Sequence, residues 1–209
     1  FTSGFGIAGS ALGMPDFGFL TATEMLSHVG RIARATPLPL VADIDTGYGN
    51  PLNVHRTVSD VVALGVAGII LEDQEWPKKC GHFAGKRVIP LAEHVQKIRA
   101  AAEARGESGL VIIGRTDARA PLGLDEAIRR GKAYREAGAD VVFVEAPESV
   151  EDLRAVAKAF PNAPLDTWAL VFEPQNAAKL KSCGIAVLDS PSEITSVVLA
   201  YLGKDPNSQ

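Results

Sequence analysis

Three stretches of the chain each end a helical pattern with a glycine and then run into an apolar strand: ALGVAGIILED (63–73), EAGADVVFVEA (136–146) and SCGIAVLDS (182–190). Gly65, Gly138 and Gly184 suit the left-handed residue that follows a helix C-terminus. The following runs are apolar almost throughout, as expected of parallel strands covered on both faces. PLPLVADID (37–45), GLVIIGRTDA (109–118) and APLDTWAL (163–170) read as further strands of this kind, and residues 1–8 as another. Helices lie between them. Thr21–Glu24 and Ser149–Asp152 read as capping-box starts. Leu124, Ala127, Ile128, Ala133, Tyr134 and Ala137 recur on a helical period.

Strands alternating with helices imply a parallel sheet with right-handed crossovers. Seven strands and an eighth preceding residue 1 would make an α/β fold of the (β/α)8 TIM type, which typically takes about 250 residues. A doubly wound sheet is the alternative, weakened because no glycine-rich dinucleotide fingerprint follows any strand. The 209 residues, 46% hydrophobic and 22% charged, suit one barrel domain over 1–209, expected to be incomplete at its N-terminus. A net charge of −4 with scattered basic residues gives no reason to expect nucleic acid or membrane partners. Cys80 and Cys183 make no disulfide framework, which favours a reducing, intracellular setting, and the ending NSQ is no peroxisomal address.

In almost every unit the apolar run stops at a charged residue: Asp43 and Asp45, Glu72 and Asp73, Arg115 and Asp117, Glu145, Asp189. These are C-terminal strand ends, where barrels carry their active sites. Asp43 and Asp45 point to one side of a strand and, with Glu72, offer hard oxygen donors for Mg²⁺ or Mn²⁺. Asp45-Thr46-Gly47 is also good turn chemistry. Gly47 and Gly49 suit either a bend or a close approach to a ligand. Arg115 reads as a bidentate partner for a substrate carboxylate or as a salt-bridge partner of Glu145 or Asp117. Ser3-Gly4 reads as a source of backbone N–H groups for an anion.

The stretch EDQEWPKKCGHFAGKR (72–87) is too charged to read as core. Cys80 there stands among Lys78, Lys79, His82 and Lys86, neighbours that favour a thiolate and proton transfer. The other reading is a cysteine in a flexible basic loop. Cys183 reads as packing, and His28, His55 and His94 as surface or helix-end residues.

In this order, ADIDTGYGN, LEDQ, KKCGH, GRTDA and GADVVFVEAP, preceded by SGFGIAGSALGMPDFGFLTATEM, resemble the isocitrate lyase and phosphoenolpyruvate mutase superfamily. KKCGH marks its lyase branch, which holds the methylisocitrate lyase, dimethylmalate lyase and oxaloacetate hydrolase group. The resemblance implies a Mg²⁺-dependent barrel enzyme, a homotetramer in the family, acting on small 2-hydroxy or 2-oxo acids; the expected setting is cytoplasmic or mitochondrial. It implies Asp43 as direct metal ligand, with Asp45 and Glu72 holding the metal's waters. Arg115 with Ser3, Gly4 and Phe5 would clasp the substrate carboxylate. Lys78 to His82, including Gly81, would form a gating loop, with Cys80 the general acid, His82 ordering the loop and Glu145 a supporting polar residue. Hydrolysis of oxaloacetate is the alternative reaction, and a catalytically weakened barrel that binds dicarboxylates the alternative class. The family's exchanged C-terminal helices are expected to be absent. LDTWALVFEPQNAAKL departs from the family, so the distal pocket around Asp166, Thr167 and Trp168 is expected to differ.

Overall fold

The computed structural model describes residues 1–81 and 83–161, together with the backbone of Leu165–Asp166. His82, Gly184, Asp189 and the strand expected at 182–190 lie outside the described residues, as do Cys183, Thr167, Trp168 and the side chain of Asp166. The strands are β1 (Val41–Asp43), β2 (Gly68–Glu72), β3 (Val111–Thr116), β4 (Val141–Val144) and β5 (Leu165–Asp166). All are parallel, and each pairs with the next in sequence, in the order β1-β2-β3-β4-β5. A doubly wound sheet reverses its strand order part-way. The described strands never do, so their order is that of a TIM-type barrel wall.

The helices are α1 (Gly4–Ile7), α2 (Ala22–Ala35), α3 (Pro51–Ala63), α4 (Leu91–Arg105), α5 (Arg119–Leu122), α6 (Leu124–Ala137) and α7 (Val150–Ala159), with a π-turn over Ala8–Leu12. The expected strand over residues 1–8 is not there. Ser3 takes an extended conformation, its hydroxyl accepts the Gly6 N–H, and the chain turns helical at Gly4. Thr2 meets the edge of the sheet, donating its N–H to the Val41 carbonyl at 2.9 Å and accepting the Asp43 N–H on its hydroxyl at 3.2 Å. A side-chain cap at residue 3 outweighs the apolar content of the segment.

The cap at Thr21 is a full capping box with Glu24, as the spacing predicts. Ser149 accepts the Asp152 N–H, while the shorter Asp152 carboxylate reaches the Glu148 N–H instead of the cap's own. Gly65 and Gly138 follow their helices with φ of 72° and 114°.

Strand register decides where chemistry can sit. Asp43 pairs with Ile70 and Ile70 with Ile113, while Glu72 pairs with Arg115 and Arg115 with Phe143. Side chains alternate along a strand, so Asp43, Glu72, Arg115 and Phe143 share one face. The opposite face carries Ala42, Ile44, Ile69, Leu71 and Ile112. These pack with Met25 and Val29 of α2, Val54, Val58 and Val61 of α3, and Ile98 of α4. The main core therefore lies between sheet and helices, and the polar residues cluster on the side away from it. Among the described residues, no helix is long and apolar enough to cross a membrane.

Candidate functional site

Asp43, at the end of β1, spends one lone pair of each carboxylate oxygen on backbone: Oδ2 accepts the Gly4 N–H at 2.9 Å and Oδ1 the Asp45 N–H at 3.0 Å. The second bond needs a sharp bend. Asp45 takes it with φ of 49°, in the left-handed region that Asp tolerates better than most residues. Gly47 continues the bend at φ 82°, where a Cβ would fall 2.4 Å from Val54 Cγ2. Gly49, at φ 146°, lies against Asn53. Both glycines thus make the bend.

Two buried lysines enter the site from residues 72–87, and the stretch is more deeply packed than its charge predicts. Glu72, Asp73, Gln74, Lys78 and Lys86 are all buried, and Cys80 and Gly81 are half-buried. The reason is pairing, since a buried charge persists only where it is partnered. Lys78 Nζ lies 2.6 Å from Asp16 Oδ1 and 2.6 Å from Asp45 Oδ1. Burial alone would lower its pKa, but the carboxylates of Asp45, Glu72, Asp43 and Asp16 outweigh that and hold it firmly protonated. Gly4 packs into the same cluster, where a Cβ would sit 2.7 Å from Lys78 Nζ and 2.8 Å from Asp45 Oδ1. Asp16 is the member that sequence reasoning missed. Its one signal is a lone acid in the loop GMPDFG, with no periodicity to place it.

Arg115 is held on three sides. Its Nε and Nη2 donate to Asp117 at 2.9 and 3.0 Å, Nε lies 3.3 Å from Glu72, and Nη2 lies 3.5 Å from Glu145. Its guanidinium carbon stands 5.2 Å from the centre of the Phe143 ring. The salt bridges read from sequence, to Asp117 and to Glu145, are both present.

Residues 75–81 and 83–88 fold over this cluster. The Gln74 amide clips the Lys79 backbone from both sides, at 2.8 and 3.0 Å. The Cys80 N–H donates to the Asp16 carbonyl at 3.1 Å, and the Phe17 and Phe83 rings stack with centres 5.3 Å apart. Gly81 rests on Glu145 and Arg115 so closely that a Cβ would lie 2.4 Å from Glu145 Oε1. The structure thus brings together Gly4, Asp43, Asp45, Glu72, Lys78, Gly81, Arg115 and Glu145. Ser3 serves as a helix cap, and the Phe5 ring is 61% exposed.

The electrostatics are unbalanced at the acids. Burial, then the neighbouring Asp43 charge, pushes Asp45 up to about 7, and Asp45 Oδ1 accepts no well-aligned hydrogen bond despite its close ion pair. Burial also lifts Glu72 well above the usual carboxylate range, although Arg115 opposes it. Such a set favours a further cation, and its donors are all hard oxygens. No three carboxylate, imidazole or thiolate groups among the described residues stand close enough to enclose a metal by themselves. The fit is to an ion that keeps most of its waters and takes one direct carboxylate. Asp43, the most exposed of the three acids at 9%, is the one open to it.

His94 departs from its surface reading. It is fully buried in α4, edge-on to Tyr134 with ring centres 4.6 Å apart, and burial followed by the charges of Lys97 and Arg130 lowers its pKa to about 3.

The family model described as phosphoenolpyruvate phosphomutase matches residues 1–205. The chain belongs to that family, within the phosphoenolpyruvate mutase and isocitrate lyase superfamily. It is 53% identical over 157 residues to the petal death protein of Dianthus caryophyllus, covering 75% of this chain and 49% of that protein. With the 2,3-dimethylmalate lyase of Eubacterium barkeri it shares 47% over 161 residues, covering 77% and 56%. The chain spans about half the length of the curated relatives it matches. A crystal structure of 2,3-dimethylmalate lyase superposes with a TM-score of 0.81 at 35% identity, over 96% of this chain and 69% of that one. Phosphonopyruvate hydrolase, crystallised with oxalate and Mg²⁺, superposes at 0.74 and 31% identity, over 97% and 74%.

Proposed function

We propose that the chain is the catalytic barrel of a Mg²⁺-dependent carbon–carbon lyase. Its substrate is a small 2-hydroxy di- or tricarboxylic acid of the 2-methylisocitrate or dimethylmalate type, and its products are a 2-oxo acid and a carboxylate. The observation that carries this reading is that Asp43 and Glu72 share one sheet face with Arg115, beside Asp45, and that burial leaves Asp45 and Glu72 short of neutralising charge. The names of relatives support the reaction class, and the Mg²⁺ and oxalate bound to phosphonopyruvate hydrolase support an ion beside a two-carbon oxyacid.

In this reading Asp43 would hold the ion directly, and Asp45 and Glu72 would hold its waters. The ion supplies positive charge where the substrate's oxygens gather negative charge. Arg115 turns part of its fork from Asp117 and Glu145 to the substrate carboxylate, aided by the Phe5 backbone N–H, since that of Gly4 is taken by Asp43. A base takes the 2-hydroxyl proton, the C2–C3 bond breaks as C2 becomes the 2-oxo carbon, and the electron pair is left on C3. The Cys80 thiol returns a proton to that carbon and becomes a thiolate. Residues 75–81 and 83–88 exclude water during the step. The protein is expected to work as a homo-oligomer.

The test is an NMR time course with Mg²⁺ and a mixture of 2-methylisocitrate, isocitrate, 2,3-dimethylmalate and oxaloacetate, beside an EDTA control. Mg²⁺-dependent conversion of a hydroxy acid to a 2-oxo acid supports the lyase. Oxalate and acetate from oxaloacetate would replace it with the hydrolase. No conversion by folded protein would leave a binding barrel. Cys80→Ser should slow the lyase step by about a hundredfold or more, the scale of a lost general acid. Unchanged turnover under chemistry-limited conditions would remove Cys80 from the mechanism.

A further inference from the structure

Lys86 has no part in the scheme above, yet it is as deeply built into the site as Lys78. Its side chain is 2% exposed, and among the described residues its ammonium donates to the Gly81 carbonyl at 2.6 Å and to Asp117 Oδ1 at 2.7 Å. A lysine on a flexible surface loop would keep its ammonium in water. Here it is drawn inward across five residues of its own segment. Its two acceptors belong to different parts of the molecule, one to the segment that carries Cys80 and the other to the end of β3.

The second acceptor is not an isolated acid. The Asp117 carboxylate also takes both donors of Arg115, and its Oδ1 is shared between Arg115 Nη2 and Lys86. The charges of Arg115 and Lys86 outweigh the effect of burial and hold its pKa below the ordinary value, so it stays ionised. Gly81, the first acceptor, lies where a Cβ would be 2.7 Å from Arg115 Nη2 and 2.8 Å from Glu145 Cδ. The chain can reach that place only as glycine, and only when something holds it there. Past Lys78 the segment is also fastened by uncharged contacts: the Phe17–Phe83 stack, the Gln74 clip and the Cys80 N–H on the Asp16 carbonyl. Charge-assisted hydrogen bonds are roughly twice as strong as neutral ones.

We propose that Lys86 is a positioning residue, a latch whose ammonium bridges the Gly81 carbonyl and the Asp117 carboxylate and so fastens the Cys80 segment to the acid that orients Arg115. The inference deepens the lyase reading by naming what keeps its lid closed. Opening breaks a bridge at the same carboxylate that aims the guanidinium, so closure of the lid and orientation of Arg115 occur together. Lys86 touches no reacting atom.

The experiment needs neither substrate nor turnover, so its outcome is separate from that of the lyase reading. Native protein, Lys86→Met and Lys86→Arg are exposed to iodoacetamide, and modification of the Cys80 peptide is followed by mass spectrometry. Lys86→Met should be modified about tenfold faster than native, the factor that one charge-assisted hydrogen bond contributes to an open–closed equilibrium. Lys86→Arg keeps the charge and the donors and should label at a rate nearer native. A Met variant that labels at the native rate overturns the proposal, and so does an Arg variant as fast as the Met variant. If the Met variant does not fold, hydrogen exchange of the native protein decides. The Cys80 and Phe83 amides should exchange at least about tenfold more slowly than in an unstructured peptide, the least a latched segment allows. Unprotected rates would overturn the latch without any substitution.

Discussion

Glu72 and Asp73 are neighbours in sequence, both acidic and both buried, and the pleat sends them to opposite faces of the sheet. Asp73 faces the helices and is surrounded by donors. It accepts from Thr116 Oγ1 at 2.8 Å, the Asp117 N–H at 2.8 Å, Arg130 Nη1 at 2.9 Å and Tyr134 OH at 2.6 Å. Glu72 faces the site and has two partners at longer range, Gln74 Nε2 at 3.2 Å and Arg115 Nε at 3.3 Å. Burial raises the pKa of both, but hydrogen bonds from Tyr134, Asp117 and Thr116 pull Asp73 back, whereas Glu72 stays well above the usual range. The lesson is how to tell a structural acid from a working one. The structural acid has its lone pairs filled by the protein. The working acid is left short of donors, with its charge unfavourable until something else arrives.

The largest effect expected from this contrast is on turnover. Glu72→Gln should lower the rate of the proposed reaction by at least roughly a hundredfold, on the scale of a lost electrostatic stabiliser, without lowering stability. The raised folded pKa means that the folded protein binds more protons than the unfolded chain between the ordinary and raised values. Stability therefore falls as pH rises through that window, and Gln, with no proton to lose, abolishes the fall. Urea unfolding at neutral pH should place the variant at or above native stability. A clear loss would mean that Glu72 is structural after all. Asp73→Asn should do the reverse, costing about 3 kcal/mol by removing one partner of a buried ion pair with Arg130. The same urea experiment checks it, and a near-neutral result would break the comparison from the other side.

Much of this contrast is legible in the order of the residues alone. The two-residue period and the Gly-then-strand grammar put Asp43, Glu72, Arg115 and Glu145 at strand ends, and strand register carries them to one face. What stays hidden depends on packing between segments distant in sequence. Asp16 belongs to the site only because the GMPDFG loop folds back to meet Lys78. The burial of Lys78 and Lys86 is not legible in a stretch too charged to read as core, because their acid partners lie 33 and 31 residues away, in Asp45 and Asp117. In α4 the buried stripe is His94, Lys97, Ile98 and Ala101, a good helical spacing in which two polar members mask the pattern. The π-turn after α1 leaves no signal in composition.

His94 provides a smaller, pH-dependent test on the structural side of the sheet. Its pKa is about 3 in the fold against 6.5 ordinarily, so between those values the unfolded chain holds a proton that the folded protein lacks. Stability is thus lost as pH falls from 6.5 toward 3, by about 1.4 kcal/mol per unit from this group. His94→Phe keeps a ring against Tyr134 but cannot titrate. Between pH 6 and 4.5 its urea stability should decline less steeply than native, by on the order of 1 kcal/mol per unit. Parallel slopes would show that His94 is protonated, or reached by water, in the fold.

The smallest effect is the most discriminating, because it asks whether the donors around Asp73 act as a unit. Tyr134→Phe removes one hydroxyl from a buried acceptor that keeps three other partners, and should cost about 1 kcal/mol, an ordinary net hydrogen bond. In an Asp73→Asn background the same change should cost less, because the amide accepts a weaker bond than a carboxylate does. The cycle should give a coupling of about 0.5 kcal/mol, the low end of the range for residues that share one network. Additive costs would mean that the tyrosine stabilises α6 through its ring alone, packed with His94, and that Asp73 is held by Arg130 and the β3 side. The four-donor picture would then reduce to three, and the difference between Asp73 and Glu72 would be one of charge pairing more than of donor count.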